Sequence, residues 1–121
     1  MVNPVQWVEI AVNSLEKAKV FYSKVFGLQF QSVEMPNSRM YMFGEPGGQG
    51  AGGALVQSDN VQPCSDGSVV YFACEDISDT MVLVEREGGR VLVPKTDIGD
   101  SGFFAHIIDT EGNRIGLLSD K

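Results

Sequence analysis

The chain states one pattern twice. Ile10–Phe30 reads IAVNSLEKAKVFYSKVFGLQF, and Phe72–Leu92 reads FACEDISDTMVLVEREGGRVL, without gaps at an offset of 62 residues. Val12 falls on Cys74, Leu15 on Ile77, Phe21 on Leu83, Gly27 on Gly89 and Phe30 on Leu92. Few residues are identical, but the apolar pattern and the glycine agree. A repeat of this kind constrains the fold more than any single motif, because each copy is a unit that buries its apolar face against the other. Two similar halves facing one another leave a cleft between them.

Within the first copy, Gln6–Val12 alternates and is rich in branched residues, which predicts a strand. Asn13 then offers a helix cap, with Glu16 three residues on as its reciprocal partner. Leu15, Ala18, Phe21, Tyr22, Val25 and Phe26 recur at helical spacing, and Gly27 closes the helix. Leu28–Val33, Arg39–Phe43 and Gly53–Gln57 follow as strands. The intervening GEPGGQGAG lacks the Gly-Lys-Ser/Thr ending and the following helix of a phosphate loop, so it reads as a hairpin loop. Residues 58–67 are polar, contain Pro63 and form the linker.

The second copy repeats the order. Val69–Cys74 is a strand, Asp76 or Glu75 caps a helix over Ile77–Glu87, and Gly88-Gly89 ends it. Arg90–Val93, Phe103–Ile108 and Arg114–Ser119 are the remaining strands. Between the last two, Asp109-Thr110-Glu111-Gly112-Asn113 makes a tight turn with Gly112 or Asn113 at positive φ. The expectation is an α+β fold: a single domain over 1–121, with module one at 1–57 and module two at 68–121. Two βαβββ modules form a curved mixed or antiparallel sheet around a cleft, with one helix on the outer face of each.

Charge and cysteines bound the partners. Nine basic groups stand against sixteen acidic ones, a net charge of -7. That excludes a basic nucleic-acid surface and is compatible with a cationic guest, although acidic soluble domains commonly carry such charge for solubility. The N-terminus MVNPVQWVEI has no basic segment leading into an apolar run, so no secretory signal is expected. No apolar stretch approaches the ~18 residues of a membrane span. Cys64 and Cys74 lack metal-type spacing and read as free thiols in a reducing, cytoplasmic setting.

Strand parity sorts the side chains. Val8, Ile10 and Val12 face the helix, which leaves Trp7, Glu9 and Ala11 for the cleft. The repeat places Val69, Tyr71 and Ala73 likewise. The last hairpin sets Phe104, His106 and Ile108 on one side, with Gly116 and Leu118 across from them. Glu9 is a carboxylate among apolar neighbours and needs a partner or a ligand. His106, the only histidine, is either a satisfied core residue paired with Glu9 or, with Glu9, a ligand anchor and acid–base couple. Trp7, Val69, Tyr71, Phe104, Gly116 and Leu118 complete the candidate ligand surface, with Trp7 and Tyr71 supplying apolar bodies and polar tips.

The opening Val8-Glu9-Ile10-Ala11-Val12-Asn13-Ser14-Leu15-Glu16-Lys17-Ala18, with Phe21-Tyr22 and Val25-Phe26-Gly27, resembles the start of the vicinal oxygen chelate superfamily of glyoxalases, bleomycin-resistance proteins and extradiol dioxygenases. Asp109-Thr110-Glu111-Gly112-Asn113-Arg114-Ile115 resembles its closing hairpin, and the likeness spans essentially the whole chain. The resemblance implies a small single-domain, glyoxalase-related branch and a homodimer, with modules paired inside one chain or exchanged between two. It also implies four metal-ligand positions, which here are Trp7, Ala54, Val69 and Gly116. None of these side chains can ligate a divalent ion. Where the glyoxalase pattern reads I-E-L, this chain reads Ile115-Gly116-Leu117.

The expectation is therefore a small-molecule binder without the superfamily's metal or any other cofactor. It has no nucleic-acid or membrane partner. The rivals are a lyase or isomerase of lactoylglutathione-lyase type using Glu9 and His106, a stress-response binding module without turnover, and a displaced metal site built on Glu9 and His106.

Overall fold

The computed structural model describes residues 3–44 and 49–121. Strand β1 (Trp7–Ala11) leads into helix α1 (Leu15–Phe26), followed by β2 (Gln31–Met35), β3 (Ser38–Phe43) and β4 (Gly52–Ser58). The second set is β5 (Val70–Ala73), α2 (Ile77–Arg86), β6 (Arg90–Asp97), β7 (Phe103–Ile108) and β8 (Arg114–Ser119). Two βαβββ modules result, each a four-stranded mixed sheet, in orders β1-β4-β3-β2 and β5-β8-β7-β6. In each, the first strand pairs parallel with the last, and the remaining pairs are antiparallel. The predicted order and architecture stand, with both sheets mixed and arranged around the cleft.

Helix α1 follows from its spacing. Leu15, Ala18, Phe21, Tyr22 and Val25 form its buried face. Gly27 takes the left-handed conformation at φ 68° and its N–H closes onto the Ser23 carbonyl, the role a glycine fills without steric cost. The N-terminus differs from expectation. Ser14, not Asn13, is the cap, and its hydroxyl accepts from the Lys17 N–H at 3.2 Å. Glu16 does not complete a capping box; its carboxylate accepts instead from the Tyr41 hydroxyl. Helix α2 begins at Asp76, whose carboxylate accepts from the Ser78 N–H.

Two strands depart from their predicted bounds by more than one residue. β2 starts three residues after Leu28, because Leu28 and Phe30 pack against the core from outside the sheet. β6 runs past Val93 to Asp97 through two register shifts. It is an edge strand, where Pro94 is tolerated without a lost ladder bond. Of the glycine-rich loop, residues 45–48 lie outside the described residues. Its flanks β3 and β4 pair antiparallel and no helix follows, as a hairpin loop requires.

The modules share one core. Phe72 of β5 stacks on Phe26 of α1 with centroids 4.4 Å apart, and also lies 5.9 Å from Tyr22 and 6.2 Å from Phe43. The turn after β7 adds a polar clamp. Asp109 is buried and accepts from the Tyr22 hydroxyl at 2.6 Å, the Glu111 and Asn113 N–H groups and the Asn113 amide. The same amide donates to the Ala11 carbonyl at 2.8 Å. Glu111 reaches across to accept from the Asn13 and Ser14 N–H groups, 2.8 and 2.6 Å away. It thus places a carboxylate at the positive end of α1. Burial, reinforced by Asp109, holds the Tyr22 phenol well above its ordinary pKa. Gly112 supplies the positive φ of the turn, 96°.

Candidate functional site

The candidate side chains sit on the sheet faces turned away from the helices. In the first sheet, register places Trp7 beside Gly52 and Glu9 beside Ala54, with Met42 beyond Ala54. In the second, Tyr71 lies beside Gly116 and His106 beyond it, while Phe104 pairs with Leu118. Register thus groups Trp7 with Glu9 on the first sheet, and Tyr71 with His106, Phe104 and Leu118 on the second. One placement is corrected. Ile108 is buried rather than presented to the cleft. Val69 precedes β5 and is half-buried.

The open face is more exposed than a buried pocket would be. Trp7 is 46% exposed, Tyr71 43% and Leu118 39%. Phe104 and His106 are half-buried. A cavity of about 300 Å³ lies between the modules, lined among others by Glu9, Ala11, Cys64, Val70, Asn113 and Arg114. A larger concavity, about 730 Å³, lies at the end of the first sheet between residues 35–39 and 57–62, away from every candidate side chain. The smaller cavity sits at the junction of the modules and touches Glu9 and Arg114, while Trp7, Tyr71, Phe104, His106 and Leu118 lie outside its lining.

Glu9 and His106 do not meet. β1 is an edge strand with one neighbour, so Glu9 is exposed rather than buried, and its carboxylate accepts from the Trp7 indole N–H at 3.1 Å. His106, on the other sheet, has two different partners. Its Nε2 lies 2.7 Å from the Tyr71 hydroxyl, and its Nδ1 lies 3.2 Å from Nη1 of Arg114. The imidazole is wedged edge-on between the Tyr71 and Phe104 rings, with centroids 5.4 and 5.5 Å away. Burial and then the Arg114 charge hold His106 below the usual imidazole range.

Arg114 is the residue that sequence reasoning missed. Its Nε donates to the Ser65 carbonyl at 3.0 Å, which ties it to the linker, while its Nη1 reaches His106. A signal was present: Arg114 shares strand parity with Gly116 and Leu118 and belongs to the same face.

The residues do not fit the divalent ion that the superfamily's pattern implies. Trp7, Ala54, Val69 and Gly116 offer no donor side chain. At Gly116 the obstacle is also steric, since a Cβ there would run into the Tyr71 ring. Among the described residues no group of three or more His, Cys, Asp or Glu side chains converges. No described helix is long and apolar enough to cross a membrane.

A putative glyoxylase, CFP32, of Mycobacterium tuberculosis is 28% identical over 114 residues, 92% of this chain but 43% of the relative. The chain thus spans less than half the length of the mycobacterial proteins it matches. A glyoxylase-like domain-containing protein of Didymella fabae is 32% identical over 88% of this chain and 85% of its own. Among solved structures, glyoxalase I of Zea mays superposes with TM-score 0.71 at 18% identity, over 94% of this chain and 45% of that one. TnmS3, an antibiotic binding protein from Streptomyces sp. CB03234, superposes with TM-score 0.69 at 23% identity, over 99% and 98% of the two chains. The sequence profile of one family matches residues 5–117. With its two βαβββ modules and their shared core, the chain belongs to the Glyoxalase/Bleomycin resistance protein/Dioxygenase superfamily.

Proposed function

We propose that the chain binds a small organic molecule on the open sheet faces between its modules, without a bound metal. The observation that carries this is the composition of the faces: Trp7, Tyr71, Phe104 and Leu118 offer apolar area, while Glu9, His106 and the Tyr71 hydroxyl offer a few placed polar groups. Such a mixture is what small-molecule sites use. Exposed aromatic area of this kind favours a ligand or a covering surface over bulk water. The likeness to an antibiotic binding protein supports a binder, at the level of fold. The acid–base reading, a lactoylglutathione-lyase-type isomerisation by Glu9 and His106, has less support, because the two groups lie on different sheets with separate partners.

A thermal-shift screen against a metabolite and antibiotic library tests the binding reading. At least one compound is expected to raise the melting temperature, and to lose that effect in a Trp7→Ala/Tyr71→Ala double variant. A screen without a single stabilising compound refutes it, as does a divalent ion retained stoichiometrically through dialysis. Turnover of methylglyoxal–glutathione hemithioacetal that falls in Glu9→Gln would instead favour the isomerase.

A further inference from the structure

The single imidazole of this chain has its tautomer dictated by its neighbours. A guanidinium has only N–H donors. The His106 Nδ1 that faces Nη1 of Arg114 at 3.2 Å must therefore present its lone pair. In a neutral imidazole the proton then resides on Nε2. Nε2–H, 2.7 Å from Tyr71, donates to the phenolic oxygen. A hydroxyl that accepts through its oxygen keeps its own hydrogen free. The Tyr71 side chain is exposed on the open face, so that hydrogen is available to whatever occupies the cleft.

Three features fix this arrangement. Arg114 is anchored at Nε by the Ser65 carbonyl, so its fork is aimed before any ligand arrives. His106 is clamped between the rings of Tyr71 and Phe104, and a ring flip would forfeit both of its hydrogen bonds. Tyr71 reaches His106 by lying across Gly116, where any side chain would collide with its ring. The group that replaces a ligating residue at this position of the fold is thus the phenol of the neighbouring strand.

We propose that Arg114, acting through His106, holds Tyr71 as an outward hydrogen-bond donor, and that the cleft ligand presents an anionic or carbonyl oxygen to it. This rests on the binding reading above and specifies its ligand chemistry. It runs against the cationic guest that the net charge of -7 is compatible with. The Tyr71 hydroxyl is backed by His106 and, behind it, Arg114, while Glu9 is engaged by Trp7 on the other sheet. Arg114 is here a positioning residue, and Tyr71 is the group that touches the ligand.

Because there is one histidine, the long-range 1H–15N spectrum of the uniformly labelled protein at neutral pH contains one imidazole. It is expected to show a protonated Nε2 and a bare Nδ1. Arg114→Met should convert this into a mixture of tautomers, whereas Tyr71→Phe should keep a bare Nδ1. Benzoate and benzamidine, probes of like shape and opposite charge, then test the ligand class. Benzoate is expected to shift the Tyr71 and His106 resonances with an affinity about tenfold above that of benzamidine. Tyr71→Phe should weaken benzoate about tenfold and leave benzamidine unchanged. An Nδ1–H tautomer in the unmodified protein overturns the proposal without recourse to any variant. So does an Arg114→Met protein with an unaltered tautomer, benzamidine binding as tightly as benzoate, or no binding of benzoate at all. A library compound that binds while these outcomes fail leaves the binding reading intact and removes only its ligand class.

Discussion

The two modules have one backbone plan and opposite chemistry on it. In each, an aromatic ring from the first strand lies against a glycine of the last: Trp7 against Gly52 in module one, Tyr71 against Gly116 in module two. Glu9 and Tyr71 occupy equivalent places, as do Ala54 and Gly116. By sheet register Met42 of module one stands where His106 stands in module two. Gly52 is matched by Arg114 at the repeat offset. Module one therefore carries apolar area and a carboxylate held by an indole, while module two carries an arginine–histidine–tyrosine series. Repetition supplied the frame, and divergence at a handful of facing positions supplied the polar chemistry.

The same asymmetry appears in the clamp. Asp109 and Glu111 of module two hold Tyr22, Asn13 and Ser14 of module one. At the repeat offset module one has Gly47-Gly48-Gln49-Gly50-Ala51, with no carboxylate. The largest expected effect follows from this. Asp109→Ala removes the acceptor of four hydrogen bonds and leaves the buried Tyr22 hydroxyl unpaired. It should lower stability by about 3–5 kcal/mol in chemical denaturation, in line with breaking a buried charged network. A loss below about 1 kcal/mol would show that the clamp does not join the modules.

The paired glycines sharpen the comparison further. A Cβ at Gly52 would make ordinary contact with the Trp7 ring at 3.4 Å, whereas one at Gly116 would collide with Tyr71. Gly116→Ala should therefore cost about 1–3 kcal/mol, as overpacking does, and should break the Tyr71–His106 hydrogen bond in the imidazole spectrum. Gly52→Ala should remain within about 0.5 kcal/mol of the parent. Equal costs at the two sites would mean that the rings do not lie as described.

Glu111→Ala should cost about 1–2 kcal/mol by removing the acceptor of the Asn13 and Ser14 N–H groups and the charge at the start of α1, and Glu111→Gln less, since one oxygen can still accept from both N–H groups. The readout is thermal or urea unfolding. The smallest effect concerns protons. His106 is faced by Tyr71 of β5, Arg114 of β8, Val93 of β6 and its neighbour Phe104. Its folded pKa is lowered by burial and by Arg114. The unfolded chain then binds the proton more readily, so stability should fall as pH drops from about 6.5 and level off below the folded value. An NMR titration should give a midpoint below 6.5, and Arg114→Met should raise it. A midpoint above 6.5 would remove Arg114 from the neighbourhood of the ring.

Much of the frame was legible in the chain. Period 3.6 placed α1 and α2, alternation placed β7 and β8 to the residue, and the repeat gave the module order. The misses have local causes. Leu28 and Phe30 mimic a strand start because they serve the core from a loop. Pro94 concealed the continuation of an edge strand. Ser14 rather than Asn13 is the cap because α1 starts at Leu15, one residue later than an Asn13 cap requires.

The sequence by itself determined the repeat, the helix and strand faces, and the absence of ligating side chains at the four superfamily positions, because periodicity and residue type are local properties. Only the tertiary structure decided which polar groups meet. Parity assigns Glu9 and His106 each to an open face of its own module, but it does not reveal that each takes a separate partner. Nor does it reveal that the bare backbone at Gly116 lets Tyr71 lie across to His106 while Arg114 closes on the other nitrogen. Contact between side chains depends on how strands are ordered and twisted in space, and that is settled by packing of the whole core rather than by any segment of it.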